Sequence, residues 1–300
     1  MVVIPLNSGP SGNAQFRNTF KTFVLLAGLA GSLVLLGSLI GGMAGTLVGL
    51  AFGLVLVGGG YWFSDRLAVR AAHARPVAAD EAVWLQQDLA VLAARAGLVS
   101  PRLYLSPDRQ PNAFATGRNE RNAVVCVTVG LLECLDRDEV RGVVAHEIAH
   151  IRHRDILIGA IAAAVATGIS AIANMVMFAG MFGGGDDEDR PNPVVMLLLA
   201  LVAPIAATVM QMALSRSREY EADRFGAELI GDPAPLAAAL TKIDAIARRQ
   251  PMDVHPAQAT AYIVNPLSGR KVSFARLFLT HPPTEDRVAR LYAQRSASSR

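Results

Sequence analysis

The chain contains little cysteine, the residue that cross-links small secreted domains, and few aromatic residues. Only two of its 300 residues are cysteines, Cys126 and Cys134, and they lack the CxxC spacing of metal-binding pairs. We therefore expect two reduced thiols in a protein core rather than ligands or a disulfide bridge. Aromatic residues make up 6% of the chain, and no segment interleaves them with basic residues. Nucleic acid is therefore not an expected partner.

Charge is also scarce and unevenly distributed. Charged residues make up 18% of the chain and hydrophobic residues 52%, with a mean hydropathy of +0.35, as is typical of membrane proteins. Residues 22–64 contain no charge. As one helix they would be about 65 Å long, against about 30 Å for the hydrocarbon core. We expect two spans, near residues 23–40 and 43–63, with a turn at Gly41 and Gly42.

Two further charge-free segments, residues 156–185 and 191–215, flank an acidic loop. Each exceeds the length of about 18 residues that suggests a span, which predicts a second transmembrane hairpin. Buried helices of a soluble core are the alternative. Basic residues flank all four spans on the same side, which predicts that these ends and the segments they join are cytoplasmic. They are Arg17, Lys21, Arg66, Arg70, Arg75, Arg152, Arg154, Arg216, Arg218 and Arg224. The first apolar stretch is too long for a cleavable signal peptide.

These patterns divide the chain into five parts. They are an N-terminal cytoplasmic segment at 1–21, hairpins at 22–64 and 156–214, and two parts of one cytoplasmic domain at 65–155 and 215–300. Within that domain we predict helices at 81–96, 235–249 and 282–291 and strands at 103–105, 112–115 and 123–129. Residues 250–279 are poorly patterned and are expected to form a flap. The mixture predicts an α+β fold with mostly helical content.

A zinc-binding pattern, His146-Glu147-Ile148-Ala149-His150, lies in a helix that we predict to start at the N-cap Asp136 and to end near Arg154. By chance the pattern occurs in roughly one such chain in two hundred. The two histidines, four residues apart on one helical face, can bind one Zn²⁺. Glu147 is placed to act as general base, so the expected reaction is hydrolysis of a peptide bond.

A third ligand is expected because catalytic zinc sites use three protein ligands. Glu219 is the best candidate, and Asp223 shares its helical face. Asp223 could accept a hydrogen bond from the second ring nitrogen of either histidine, and Asp155 is a weaker candidate for the same role. The alternative is a solvated acidic face among neighbouring arginines.

Several motifs of the chain resemble those of a known family. HEIAH and the later SRSREYEAD resemble the metal-binding motifs of HtpX-type membrane zinc metalloproteases, relatives of the CAAX prenyl proteases. Residues 111–117 and 280–287 resemble the family's strand before the zinc helix and its C-terminal THPP motif, so the similarity covers about residues 22–293. It implies a zincin-like (gluzincin) domain with one Zn²⁺ per chain, bound by His146, His150 and Glu219. Glu147 would be the base.

The resemblance also implies a biological role. It is endoproteolysis of misfolded or damaged membrane proteins, as part of envelope quality control, at the cell inner membrane. The expected partners are polypeptides and the lipid bilayer, while homo-oligomers or a larger protease assembly are left open.

Two secondary hypotheses concern the substrate. The strand Asn112, Ala113, Phe114 and Ala115 could hold a peptide as an added strand, or could be an ordinary core strand. His281 could stabilise the oxyanion of the reaction, or could be a structural residue before a helix. His153 is expected at the surface.

The sequence agrees less well with three other functions. An intramembrane protease is disfavoured because charged residues flank HEIAH. A CAAX-type prenyl protease would need a chamber with more spans than the four predicted. A non-catalytic membrane adaptor with structural zinc is disfavoured because a His-His-Glu site leaves a position open, whereas structural sites are closed and usually rich in cysteine.

Overall fold

The structure, a computed structural model, describes residues 62–156, 216–249, 263 and 282–298, with shorter parts of residues 20–59. Apart from Ile156, the second predicted hairpin lies outside the described residues. So do His281 and, apart from Ile263, the predicted flap. Residues 42–55 are helical, and Gly42 has a φ of 56° at the predicted turn. Among the described residues, no helix is both long enough and apolar enough to cross a membrane.

In the first part of the protease domain, the described residues form both helices and strands. In the second part they form helices only. The helices are α1 Ser64–Ala71, α2 Val83–Arg95, α3 Val129–Cys134, α4 Arg137–Arg152, α5 Arg216–Ile230, α6 Ala234–Arg249 and α7 Thr284–Ser298. The strands are β1 Arg75–Pro76, β2 Arg102–Ser106, β3 Ala113–Thr116 and β4 Val124–Thr128, and a 3₁₀ turn covers Glu120–Asn122. The prediction of an α+β fold with mostly helical content is confirmed for this part of the chain.

The four strands form one mixed sheet in the order β1-β2-β4-β3. Strand β4 lies parallel to β2 and antiparallel to β3, and every residue of its sequence VVCVT is buried. Branched side chains favour this central position because they fit a pleated surface that is covered on both faces. Strand β3 is left at the edge of the sheet, and helix α4 packs against it.

Helix α4 forms the centre of the domain. Asp136 accepts a hydrogen bond from the backbone of Glu139, whose side chain accepts one from the backbone of Asp136. This capping box satisfies two N–H groups at the helix start, as the sequence predicts. Helices α5 and α6 pack on α4, so one apolar core joins both predicted parts of the protease domain. Its members include Leu85, Leu89, Val127, Val144, Ile148, Phe225, Leu236 and Leu240.

Several local predictions need correction. The strand expected from Asn112 begins one residue later, at Ala113, because the Asn112 N–H donates to the side-chain hydroxyl of Thr128 rather than to a strand carbonyl group. The Asn112 side chain accepts a hydrogen bond from the Ile263 backbone. Helix α4 ends at Arg152, and Arg154 adopts a φ of 60°. Helix α7 continues to Ser298, beyond the predicted end near residue 291. His153 is buried rather than exposed, with its ring centroid 5.4 Å from that of Phe225.

Candidate metal centre

The three predicted ligands come from helices α4 and α5, which pack closely where they meet. Gly226 of α5 lies against the backbone of α4: a Cβ atom built at residue 226 would be 3.0 Å from the His146 nitrogen. A side chain there would push the helices apart. The glycine therefore permits the close approach that brings Glu219, two turns earlier on α5, to the two histidines of α4.

The ligand atoms have the spacing that a tetrahedral ion requires. The Nε2 atoms of His146 and His150 are 3.1 Å apart. Glu219 Oε2 lies 3.7 Å from His146 Nε2, and Glu219 Oε1 lies 3.6 Å from His150 Nε2. Ligands bound to zinc at about 2.0–2.1 Å in tetrahedral geometry are separated by about 3.3 Å. The residues present therefore fit a single small divalent cation.

The far side of each imidazole supports the same conclusion. His146 Nδ1 lies 2.9 Å from Asp223 Oδ1, and His150 Nδ1 lies 3.2 Å from Asp155 Oδ2. Because carboxylates only accept hydrogen bonds, a neutral imidazole there carries its proton on Nδ1. The two Nε2 atoms then point at each other at 3.1 Å, a spacing that needs either a shared proton or a cation between them. Carboxylate partners of this kind are typical of metal-binding histidines.

The protonation of the two histidines differs. Burial lowers the pKa of His146 to about 4, although Asp223 opposes this. Burial also disfavours a charge on His150, but the hydrogen bond to Asp155 and the charge of Glu219 outweigh it and raise the pKa to about 9. A proton on His150 Nε2 lies on the side where the metal would bind. Metal binding must therefore displace a proton at neutral pH.

Glu147 is buried beside this centre, with 5% of its surface exposed. Burial raises its pKa to about 7, while His150 and a hydrogen bond with the backbone of Ala115 act in the opposite direction. A carboxyl group with such a pKa can both accept and return a proton near neutral pH. These are the properties of a general base and acid.

The motifs of this centre can be compared with those of known proteins. A model described as Peptidase family M48 matches residues 79–295, which include all three candidate ligands and Glu147. The chain belongs to peptidase family M48. The prediction that it is a metallopeptidase is confirmed, as is the dependence on a metal. The identity of the ion as zinc remains a prediction.

Individual relatives agree with the predicted resemblance. A "Protease HtpX homolog" of Pelotomaculum thermopropionicum is 49% identical over 279 residues, covering 92% of this chain and 99% of the relative. A "Protease HtpX" of Legionella pneumophila strain Corby is 47% identical over 280 residues, with coverage of 92% and 99%. A crystal structure of S. mikatae Ste24p matches 94% of this chain and 66% of its own, at 19% identity and a TM-score of 0.48. The two HtpX relatives, which match most of the chain at 47–49% identity, confirm the resemblance to HtpX-type proteases.

Two arginines complete the centre and were not predicted to belong to it. Arg287 of α7 is 1% exposed and donates two hydrogen bonds of 2.7 Å to the carboxylate of Asp223, one to each oxygen. Arg218 Nη1 lies 3.6 Å from Asp155 Oδ1. Each carboxylate that contacts a histidine is thus paired with an arginine. Spacing along the chain does not indicate their burial, but Arg218 lies in SRSREYEAD and Arg287 in residues 280–287, so membership of these two motifs was the signal that could have identified them.

Some of the remaining residues that were predicted to belong to the site lie at the metal centre, and others do not. Glu219 and Asp223 are 5% and 3% exposed, so the alternative of a solvated acidic face does not apply to them. Ala115 reaches the centre through its backbone contact with Glu147. Ala113 and Phe114 lie earlier in the same strand, and Asn112 immediately precedes it. His281 lies outside the described residues, so its suggested role stays a prediction.

Proposed function

We propose that the chain is a membrane-anchored zinc endopeptidase that hydrolyses misfolded or damaged membrane proteins at the cytoplasmic face. The observation that carries the proposal is the cluster of His146, His150 and Glu219, with ligand atoms 3.1–3.7 Å apart beside the buried Glu147. Two imidazoles and one carboxylate leave a fourth position open, as catalytic zinc sites do. A structural site would close it with a fourth protein ligand.

The side chains around the centre have separable roles. His146, His150 and Glu219 would hold the ion, and Asp223 and Asp155 would fix the orientation and tautomer of the two histidines. When bound, zinc supplies Lewis-acid chemistry that polarises a carbonyl group and acidifies water. Glu147 removes a proton from the attacking water and returns it to the leaving amine, a role that its pKa of about 7 suits.

Strand β3 is the proposed substrate-binding edge. The Thr128 nitrogen donates to the Asn112 oxygen, and bonding alternates along antiparallel strands, so the backbone groups of Phe114 face β4. Those of Ala113 and Ala115 then face away from β4. The backbone contact of Ala115 with Glu147 agrees with this direction. A peptide added along this edge would pass the general base, held by main-chain hydrogen bonds that suit many sequences.

The membrane part of the proposal is supported by sequence and family. The charge-free residues 22–64 precede the domain, and the charge-free stretches between residues 156 and 215 divide it. The relatives named as HtpX proteases match over 92% of the chain, so they include these segments. Two anchoring hairpins with basic cytoplasmic ends would place the metal centre close to the inner face of the bilayer. Membrane proteins are substrates within reach of such a site.

The decisive test compares wild type with Glu147→Gln, both purified in a neutral detergent. Bound metal is measured by elemental analysis, and cleavage is followed with an unfolded casein-like protein. We expect about one zinc per chain in both proteins but cleavage by wild type alone, because the substitution leaves the ligands intact and removes the base. Asp138→Asn, on the same helix but outside the site, is the matched control and should cleave normally.

Other results would reject parts of the proposal. Absence of zinc from the wild type, after purification without chelators, would exclude the assigned metal. Zinc in both proteins with no cleavage by either would favour a binding protein. Cleavage of prenylated peptides in preference to unfolded proteins would favour the CAAX-type alternative.

A further inference from the structure

A cavity of about 180 Å³ lies at the start of the described domain, away from the metal ligands. Helix α1 and the two residues before it, strand β2 and the connection between β3 and β4 form its walls. The lining residues are Trp62, Phe63, Asp65, Arg66, Arg102, Arg118 and Asn122. Its volume is well above the ~10–15 Å³ that one water molecule needs, so a phosphate group fits.

The cavity carries an excess of positive charge. Three of its lining residues are arginines and one is an aspartate. Arg102 is paired with Asp65, with Nη2 and Oδ2 2.7 Å apart. Within the described part of the chain, neither Arg66 nor Arg118 forms an ion pair, and these two guanidinium groups remain available to an anion. Arginine suits phosphate because its donors form a planar fork.

Aromatic contacts hold these two arginines at the cavity. The Arg118 guanidinium lies 4.8 Å from the centre of the Trp62 ring, and its Nη1 donates to the Trp62 carbonyl oxygen at 3.2 Å. Arg66 lies 5.5 Å from the centre of the Phe63 ring. Such contacts reduce the freedom of long side chains before a ligand binds, which lowers the cost of binding.

The cavity is placed where a membrane surface would be. Trp62 and Phe63 are 58% and 44% exposed and end the charge-free residues 22–64. Tryptophan at such a position is typical of the bilayer interface, and arginines just inside the cytoplasmic face attract anionic headgroups. This step rests on the proposed function, because it requires that residues 22–64 anchor the chain.

We infer that this cavity binds the phosphate group of an anionic membrane lipid, with Arg66 and Arg118 as its ligands. The headgroup fixes the connection between β3 and β4 to the bilayer surface. That connection continues directly from the strand whose Ala115 contacts Glu147. The bound lipid thus sets the height of the proposed substrate-binding edge relative to the membrane.

Trp62 provides a built-in probe, since the chain has only two tryptophans. In a Trp84→Phe background, fluorescence reports the cavity wall alone. The full chain in a neutral detergent is titrated separately with short-chain phosphatidic acid, short-chain phosphatidylcholine and inorganic phosphate. The cavity variant is Arg66→Gln with Arg118→Gln. The matched control, Arg70→Gln with Arg121→Gln, removes the same charge from exposed positions on the same helix and connection.

We expect a saturable change with phosphatidic acid, at concentrations at least about tenfold lower than with phosphatidylcholine. The cavity variant should bind at least about tenfold more weakly, because it loses hydrogen bonds between charged groups. The control variant should stay within about twofold of wild type. Equal affinities of the cavity and control variants would overturn the inference. Saturation by inorganic phosphate at the same concentrations as the lipid would reject a lipid source.

The same preparations separate this inference from the proposed function. Cleavage that depends on Glu147 tests the protease, whereas the lipid titration does not involve Glu147. Resistance of the wild-type chain to extraction from membranes by alkaline carbonate tests the anchor. If carbonate extracts the wild-type chain, the proposal of a membrane anchor is rejected. The dependence of lipid binding on Arg66 and Arg118 still tests whether the cavity binds a phosphate group.

Discussion

Replacing Arg287 by glutamine tests how the metal centre is held together. Arg287 donates to both oxygens of Asp223, which in turn contacts the ring of His146, and it also donates to the Ile263 carbonyl oxygen at 2.9 Å. Glutamine is too short to restore the two-pronged contact. The substitution therefore leaves a buried carboxylate that still contacts the neutral ring of His146 but no longer has a cationic partner among the described residues.

The size of the effect follows from burial. Removing one partner of a buried ion pair costs about 3–5 kcal/mol of folding free energy. The pKa of Asp223, which burial would raise, is lowered to about 2 by Arg287 and His146. From its ordinary value of 3.8, this corresponds to roughly 2–3 kcal/mol of net stabilisation. The attraction between Asp223 and its partners must exceed this net value, because it also offsets the cost of burying the carboxylate.

The sign of the pH dependence follows from the lowered pKa of Asp223. The ion pair stabilises the fold fully above about pH 4 and loses this effect as the pH falls towards 2. The stability difference between wild type and Arg287→Gln should therefore shrink over that range. A difference that grows as the pH falls would contradict the assignment.

Zinc affinity is the second measurement. Loss of a group that orients a ligand through its hydrogen-bond partner weakens metal binding by about 10–100-fold. Competition with a chelator, on folded protein, gives the dissociation constant. Arg287→Lys keeps one charge and should be intermediate, while Arg290→Gln, exposed on the same helix, should match wild type. A constant for Arg287→Gln within about twofold of wild type would refute the reasoning.

Two further predictions follow from close packing and burial. Gly226→Ala places a methyl group 3.0 Å from the His146 nitrogen. We expect the free energy of unfolding, measured by heat or denaturant, to fall by about 1–3 kcal/mol and zinc binding to weaken. An unchanged zinc affinity would contradict this. Burial raises the pKa of Cys126 to about 12 from 9.0, so at pH 8 its alkylation should be roughly 10³-fold slower than that of an ordinary thiol. Mass spectrometry of the single-cysteine variants Cys126→Ser and Cys134→Ser tests this, and equal rates for the two thiols would be evidence against it.

The sequence alone was sufficient to predict those features that depend on residue spacing along a single helix. His146 and His150 share a face because a helix repeats every 3.6 residues, and the capping box at Asp136 is equally local. Glu219 and Asp223 follow the same rule on a second helix. The absence of charge in residues 22–64, the reduced cysteines and the alternation of helices and strands were also readable from the chain.

Tertiary structure alone decided which distant residues meet and which are buried. Arg287 is 64 positions from Asp223 and has the same residue type as the exposed Arg290, so only the docking of α7 assigns it to the metal centre. His153 is buried because Phe225 of α5 packs over it, a contact that no local pattern predicts. The physical reason is that periodicity fixes the direction of a side chain relative to its own helix. What lies in that direction depends on the packing of elements far apart in sequence.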